Sequence, residues 1–323
     1  MALINLMSFR ILGTGMYVPE RIVTNDDLSK LVDTNDEWIM QRVGIHERHV
    51  TTHETCTDLA YEAAKAALDN AGVKPEELDL ILAATVSGDY ACPSLACMIQ
   101  KRLGATCMAY DCVAACSAFL FLLETAAGYF ARGKVKKVLV VGSERLSRVL
   151  DWTDRSTCVI FGDGAGAAVL GEGDGYLDAV FNVYGNSEVL NIPSYQGASP
   201  FSTLGETHPY VHMLGQDTFK YAVTAICGDI KKLLERNSLS ADDIKFVVPH
   251  QANKRIIDSA ARRVGIPLDK FVINIEKYGN TSSASVPIAL DELHRSGRIS
   301  EGDLIILTAF GGGLADAACL IKW

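Results

Sequence analysis

The amino-acid sequence predicts an α/β protein made of two similar halves, in which strands alternate with helices and mainly parallel sheets are covered by helices. Two observations predict it. Short Val, Ile and Leu runs bounded by turn residues read as buried strands, and longer stretches with helical spacing separate them. The second observation is an internal repeat. "AALDNAGVKPEELDLILAA", from Ala66, is echoed by "KLLERNSLSADDIKFVVPH", from Lys232; each is a helix end, a turn, an acidic pair and an apolar strand. One displacement, 166 positions, takes Leu78 to Ile244, the strand "KVLVVGS" from Lys137 to "DLIILTA" from Asp303, and Cys116 to Ser282. Recurrence at a fixed displacement marks a doubled unit. The join falls in the turn cluster "GEGDG", Gly171 to Gly175, and divides the chain into residues 1–172 and 173–323.

In chain order, Trp38 and Arg42 lie four apart on a predicted helix and so share a face. A helix end, a turn and the strand after Leu78 follow. "YDCVAACSAFLFLL", Tyr110 to Leu123, runs from a strand holding Cys112 into a helix that starts at Cys116. "FGDGAGA", Phe161 to Ala167, has neither G-x-G-x-x-G nor a following Lys-Ser/Thr, so its glycines are read as permitting close backbone approach rather than cradling phosphate. In the second half the strand "IKFVV" ends at His250, in "VPHQANKRI", just before a helix. "YGNTSSASVPIALDEL" brings Asn280 to another helix start, and "AACLIKW" reads as a final strand.

Composition limits the function classes. A chain of 323 residues, 49% hydrophobic and 21% charged, can bury a large core. Its net charge of −9 disfavours generic nucleic-acid binding, which needs a basic surface, but leaves room for a local basic patch. No apolar run reaches the roughly 18 residues of a membrane span. "MALINLMSFRILGTG" has no basic region before its apolar residues and no cleavage signature, so no signal peptide is expected; Met7 is equally a natural start, with the first six residues an extension. Nine cysteines, an odd number without a secretion signal, suggest reduced thiols in the cytoplasm. Cys92/Cys97 and Cys112/Cys116 lack companion ligands at zinc spacing, so no metal site is expected and most of these thiols read as core residues.

Helix N-termini carry partial positive charge and unpaired N–H groups. A cysteine there is expected to have a lowered pKa, which favours Cys116 over Cys112, whose expected role is packing. Six of the seven histidines have ordinary surroundings. His250 differs, because it stands at the C-terminal end of a strand, where open α/β sheets keep their sites. A cysteine, a histidine and an amide at three strand-to-helix junctions form a workable acyl-transfer set.

These stretches, with "ILGTGMYVPE", "TNDEWIMQRVGI", "IFGDGAGAAVL" and "FGGG", run in order from Ile11 to Gly313. Together they resemble β-ketoacyl-acyl-carrier-protein synthase III, the condensing enzyme that starts bacterial fatty-acid synthesis. The resemblance implies the thiolase fold, with two pseudo-two-fold-related halves in five α-β-α-β-α layers, which accounts for the repeat. It implies a decarboxylative Claisen condensation of an acyl-coenzyme A primer with malonyl-acyl-carrier protein, through an acyl-cysteine. Cys116 would be the nucleophile, and His250 and Asn280 would serve malonyl decarboxylation. The N–H groups of Cys116 and Gly312 would form the oxyanion hole. Coenzyme A enters as a substrate thioester, with no metal or redox cofactor. Trp38 would stack on its adenine with Arg155 on the other face, and Thr34 and Arg42 would add contacts. Lys254, Arg255, Arg262 and Arg263, extended by Lys220, would receive the acidic carrier protein. The loop "SGDYACPSLAC" would reach across a homodimer to close the partner's acyl pocket, making Cys92 a candidate for chain-length control.

Two departures from the family pattern stand out. "LADA", Leu314 to Ala317, replaces a Thr, an aromatic and a Gly, and Ala118 replaces a Gly; both put acetyl selectivity in question. The nearest rival is a related enzyme condensing a non-acetyl primer for a secondary metabolite. A type III polyketide synthase would be longer and lack "PHQAN" and "GNTSSAS". A thiolase needs a second cysteine near the C-terminus, in a context that Cys319 lacks. A non-catalytic partner subunit would have lost the nucleophile, and a dinucleotide-binding module would carry its glycine fingerprint.

Overall fold

The protein is described here by a computed structural model covering residues 8–323. The expectations about the chain start, Met7 included, lie outside the described residues. The first sheet consists of β1 (Ser8–Tyr17), β2 (Leu80–Ala84), β3 (Met108–Asp111), β4 (Lys137–Arg145) and β5 (Asp163–Gly173), in the order β1-β5-β4-β2-β3. The second holds β6 (Tyr176–Asn186), β7 (Ile244–Pro249), β8 (Leu304–Gly311) and β9 (Gly313–Lys322), in the order β7-β8-β9-β6. Read from its other edge, β6-β9-β8-β7 repeats β1-β5-β4-β2. In place of β3 it has one parallel bridge, from Val247 to Phe271.

The sheets are mixed, not mainly parallel. Only β2–β3, β2–β4 and β7–β8 are parallel ladders; β1–β5, β4–β5, β8–β9 and β9–β6 are antiparallel. The physical reason is connection length. A parallel neighbour needs a crossover of a dozen or more residues, whereas β8 turns straight into β9 at Gly312. The repeat also slips. The 166-residue displacement lays β4 over β8, but the turn Ala115–Ser117 matches Ser282–Ala284. The left-handed residue is Ala115 (φ 46°) in one and Ser282 (φ 48°) in the other. Cys116 therefore corresponds to Ser283, not Ser282.

Among the described residues, seven α-helices are longer than one turn: α1 (Asp36–Arg42), α2 (Cys56–Ala71), α3 (Leu95–Leu103), α4 (Ala118–Ala131), α5 (Gly215–Arg236), α6 (Lys254–Val264) and α7 (Ser285–Arg295). Local chemistry sets their ends. α2 starts with a capping box between Thr55 and Asp58 and stops at left-handed Gly72, while Ser94 caps α3. α4, "AFLFLLETAAGYFA", is apolar on nearly every face and can be covered only if buried on all sides. It lies with α7 between the sheets: Phe119, Leu122, Leu290 and Leu293 share one core with Val138 and Val140 of β4 and Ile305 and Leu307 of β8. α2 and α3 cover the outer face of the first sheet, and α5 and α6 that of the second. The five α-β-α-β-α layers follow. Cutting Leu290 to Ala in the central layer should cost about 2–5 kcal/mol.

Several backbone crossings are close enough to require glycine, two of them where the halves meet. A Cβ on Gly166 would stand 2.7 Å from the Ile288 nitrogen of α7, and one on Gly311 would stand 2.7 Å from the Cys116 nitrogen. The glycines of "FGDGAGA" thus serve backbone packing. Among the described residues no helix is long and apolar enough to cross a membrane.

Candidate active site

Cys116, His250 and Asn280 line one cavity of about 1860 Å³, reached from junctions in both halves. Cys116 lies in the turn before α4. The matching turn before α7 packs against it, because the two halves meet there. Gly311 presses on the Cys116 backbone, and Gly312 lies beside Ala115 at the cavity wall. Asn280 is pinned by its backbone: its N–H donates to the Ile160 carbonyl at 2.9 Å, and its carbonyl accepts from Gly162 N–H at 3.0 Å. Its Oδ1 accepts from Ser282 N–H at 2.8 Å, which fixes the amide and turns the NH₂ group towards the cavity.

His250 follows β7 and is 1% exposed. Its N–H donates to the Thr308 carbonyl at 2.7 Å, and Phe310 meets the ring edge-on at a centroid distance of 5.3 Å. Nδ1 lies 2.5 Å from Ser285 Oγ, which accepts from Gln251 N–H at 3.4 Å. When the Ser285 hydroxyl donates to Nδ1, the ring proton is on Nε2, the tautomer that keeps an N–H for a substrate oxygen. Burial lowers the His250 pKa to about 3, so the imidazole is neutral at physiological pH.

Cys116 corrects one expectation. Burial pushes its thiol pKa up to about 12, against the opposing effect of the Ser282 hydroxyl, so the net shift is upward and not downward. Desolvation of a fully buried thiolate outweighs a helix-end charge of roughly half a unit. Cys112 is also corrected in place: it follows β3 rather than lying within it. It is half-buried, and its N–H donates to the Ala83 carbonyl at 2.9 Å. All nine cysteines are free thiols.

The nucleotide-binding candidates gather at one rim, with differences. Trp38 and Arg42 line the cavity and share a face of α1, with the guanidinium 5.8 Å from the ring centroid. Arg155, expected across an adenine, instead sits 5.1 Å over the Trp38 ring itself and donates to the Asp33 carbonyl. A base stacked between them would have to displace it. Thr34 is half-buried, and its Oγ1 has no hydrogen-bond partner among the described residues. In the basic set, Lys220 and Arg255 line the cavity mouth, Arg262 and Arg263 are exposed, and Lys254 is held at 3.0 Å by Asp258 on its own helix. Cys92 is exposed; Tyr90 and Ala91 of its loop line the cavity and Cys92 does not.

Sequence reasoning missed Ser285, Phe310 and Glu144. Glu144 is fully buried near the end of β4. Its signal was legible: an acidic residue closing the apolar strand "KVLVVGSER", at the sheet end where sites form.

A family profile described as 3-oxoacyl-[acyl-carrier-protein] synthase III matches residues 110–185, and one for its C-terminal part matches residues 234–323. The beta-ketoacyl-[acyl-carrier-protein] synthase III of Clostridium acetobutylicum is 46% identical over 321 residues, 98% of this chain and 99% of its own. The chain belongs to the 3-oxoacyl-[acyl-carrier-protein] synthase III family. The crystal structure of the synthase III from Aquifex aeolicus VF5 superposes with a TM-score of 0.90 at 43% identity, covering 98% of this chain and 100% of that one. The priming β-ketosynthase of the R1128 polyketide pathway also superposes at 0.90, with 36% identity and coverage of 100% and 98%. Synthase III membership fits the thiolase-type architecture and a site built where two half-folds meet.

Proposed function

We propose that this chain condenses an acyl-coenzyme A primer with malonyl-acyl-carrier protein, releasing carbon dioxide and initiating fatty-acid synthesis. The observation that carries this reading is the convergence of Cys116, His250 and Asn280 on one cavity from the junctions of both halves. In the first step the Cys116 sulfur attacks the primer carbonyl, and the oxyanion forms beside the N–H groups of Cys116 and Gly312. The carbon–sulfur bond to coenzyme A then breaks, leaving acyl-Cys116. In the second step malonyl loses carbon dioxide, and the electron pair moves into a thioester enolate. His250 Nε2–H and the Asn280 amide donate to its oxygen. Each such preorganised donor is worth roughly 3–4 kcal/mol, on the order of a hundred- to thousand-fold in rate. The enolate carbon attacks acyl-Cys116 and releases the thiolate. Net, loading moves one proton from Cys116 to the departing coenzyme A and condensation returns one to Cys116, so the scheme draws on no metal or redox cofactor.

Trp38, Arg42 and Arg155 form the rim that would meet the nucleotide. Lys220, Arg255 and Arg262 give an acidic carrier protein its landing site, with Lys254 contributing less because Asp258 neutralises it. A homodimer fits the uncovered edge strand β3, where Met108 is exposed. Cys92, outside its own cavity, would then wall the partner's. Nine free thiols suit the cytoplasm.

Acetyl-coenzyme A is the first primer to test, because the two departures from the family pattern lie off the cavity. Of the two departures, Ala118 is buried at the start of α4 and Leu314 lines a separate cavity with Asp316. Neither lines the cavity that holds Cys116. The test is reconstitution with acetyl-coenzyme A and malonyl-carrier protein. Mass spectrometry should find acetoacetyl-carrier protein. A product formed only from longer or branched primers would favour the secondary-metabolite reading, and no product from any primer would overturn both.

A further inference from the structure

The buried carboxyl of Glu144 is not used in the chemistry above. Its Oε2 accepts from Ser87 Oγ at 2.5 Å, Val86 N–H at 3.0 Å and Thr85 Oγ1 at 3.2 Å, and its Oε1 accepts from Ser283 Oγ at 2.7 Å. Four donors from two chain segments hold one side chain on the wall between the halves. Ser282 lies beside it, in the left-handed conformation and fully buried. Its hydroxyl lies against both the Cys116 thiol and the Glu144 carboxyl. It makes no hydrogen bond of normal geometry to either or to any other described residue. An uncommitted hydroxyl between an acid and a base is free to rotate towards both.

We propose that Glu144 is the positioning residue for the proton of Cys116, which it takes and returns through the Ser282 hydroxyl. On loading, the Cys116 proton passes to Ser282 Oγ as the Ser282 proton passes to Glu144. The sulfur bonds to the primer carbonyl carbon, and the departing coenzyme A thiolate is protonated from solvent. Glu144 stays neutral while Cys116 is acylated. On condensation the enolate carbon displaces the Cys116 thiolate, which regains its proton from Glu144 by the same route. Burial raises both the thiol and the carboxyl, so transfer between them is less unequal than the thiol's shift alone would make it. Cys56 of α2 is the other buried thiol in this region, but its sulfur is engaged by Ser143 at 3.4 Å and Thr85 at 3.5 Å and does not line the cavity.

This inference rests on Cys116 being the acylated nucleophile. The experiment follows single-turnover acylation of the full-length protein by acetyl-coenzyme A, by intact mass, from pH 6 to 9, alongside carbon dioxide release from malonyl-carrier protein. Glu144→Gln should acylate on the order of a hundredfold more slowly at pH 7. Its rate should climb about tenfold per pH unit where the parent's is flatter, because solvent must take the proton. Glu144→Asp should restore part of the rate, and decarboxylation by Glu144→Gln should stay within about twofold of the parent. Ser282→Ala should show the same steep pH profile, and it carries the test if Glu144→Gln fails to fold. Acylation at the parent rate and pH profile overturns the proposal, as does equal loss of both half-reactions with an unchanged profile. A parent protein that is never acylated overturns the reading of Cys116 instead.

Discussion

His250 and Asn280 act, in this account, on the enolate and not on the primer. His250→Ala and Asn280→Ala should therefore still form acyl-Cys116, while releasing carbon dioxide from malonyl-carrier protein on the order of a hundredfold more slowly. Parent-rate decarboxylation by Asn280→Ala would separate the amide from this role. The pKa of His250 has its own signature. Its folded value, about 3, lies below the roughly 6.5 of the unfolded chain, so the unfolded state takes up the proton first and stability falls as pH drops through that window. His250→Gln should flatten the acid limb of the melting-temperature profile between about pH 6.5 and 4. Residue identity was legible where chemistry and local position agree. Cys116, His250 and Asn280 each end a strand or open a helix in the sequence itself. The protonation of Cys116 was not legible, because its burial is supplied by segments far along the chain. The partners of Glu144 were hidden for the same reason, since they stand 57 to 139 residues away, although its place at the end of an apolar strand was in plain sight.

At the scale of elements, the repeat revealed which strands match but not the one-residue slip before α7. Strand periodicity survives an insertion in the following turn, and only the backbone angles locate it. The mixed sheets were likewise hidden, since an apolar run does not tell its direction. A second element-level feature joins α5 to the second sheet. Asn182 of β6 donates to Asp229 at 3.0 Å and to Asp316 of β9 at 2.5 Å, and Tyr221 donates to Asp316 at 2.5 Å. Burial, then the neighbouring Asp316, raises Asp229 to about 8, against the opposing charge of Lys232. The folded chain thus keeps a proton that the unfolded chain releases near pH 4, so stability declines as pH rises from about 4 to 8. Asp229→Asn mimics the protonated form. Its melting temperature should match the parent's near pH 4 and exceed it increasingly towards pH 8. A difference that does not change with pH would mean the pair is already ionised.

For the whole molecule, the fold explains why so much of the active site lies where strands end. Two half-folds meet back to back around α4 and α7, and their junction turns touch at the centre. The five layers were legible only through the family resemblance; composition and periodicity alone reached two α/β halves. Light scattering should find a dimer at assay concentration, and Cys92→Phe should shift primer use towards shorter chains; an active monomer or an unchanged primer profile would remove the cross-subunit pocket. The central claim is that Cys116 carries the primer. Its most direct test is the intact mass of the protein after exposure to a panel of acyl-coenzyme A thioesters. The account predicts one added acyl group per chain from the true primer, mapped to Cys116 by peptide analysis and absent in Cys116→Ala. An adduct that persists in Cys116→Ala and maps to Cys112 would contradict it.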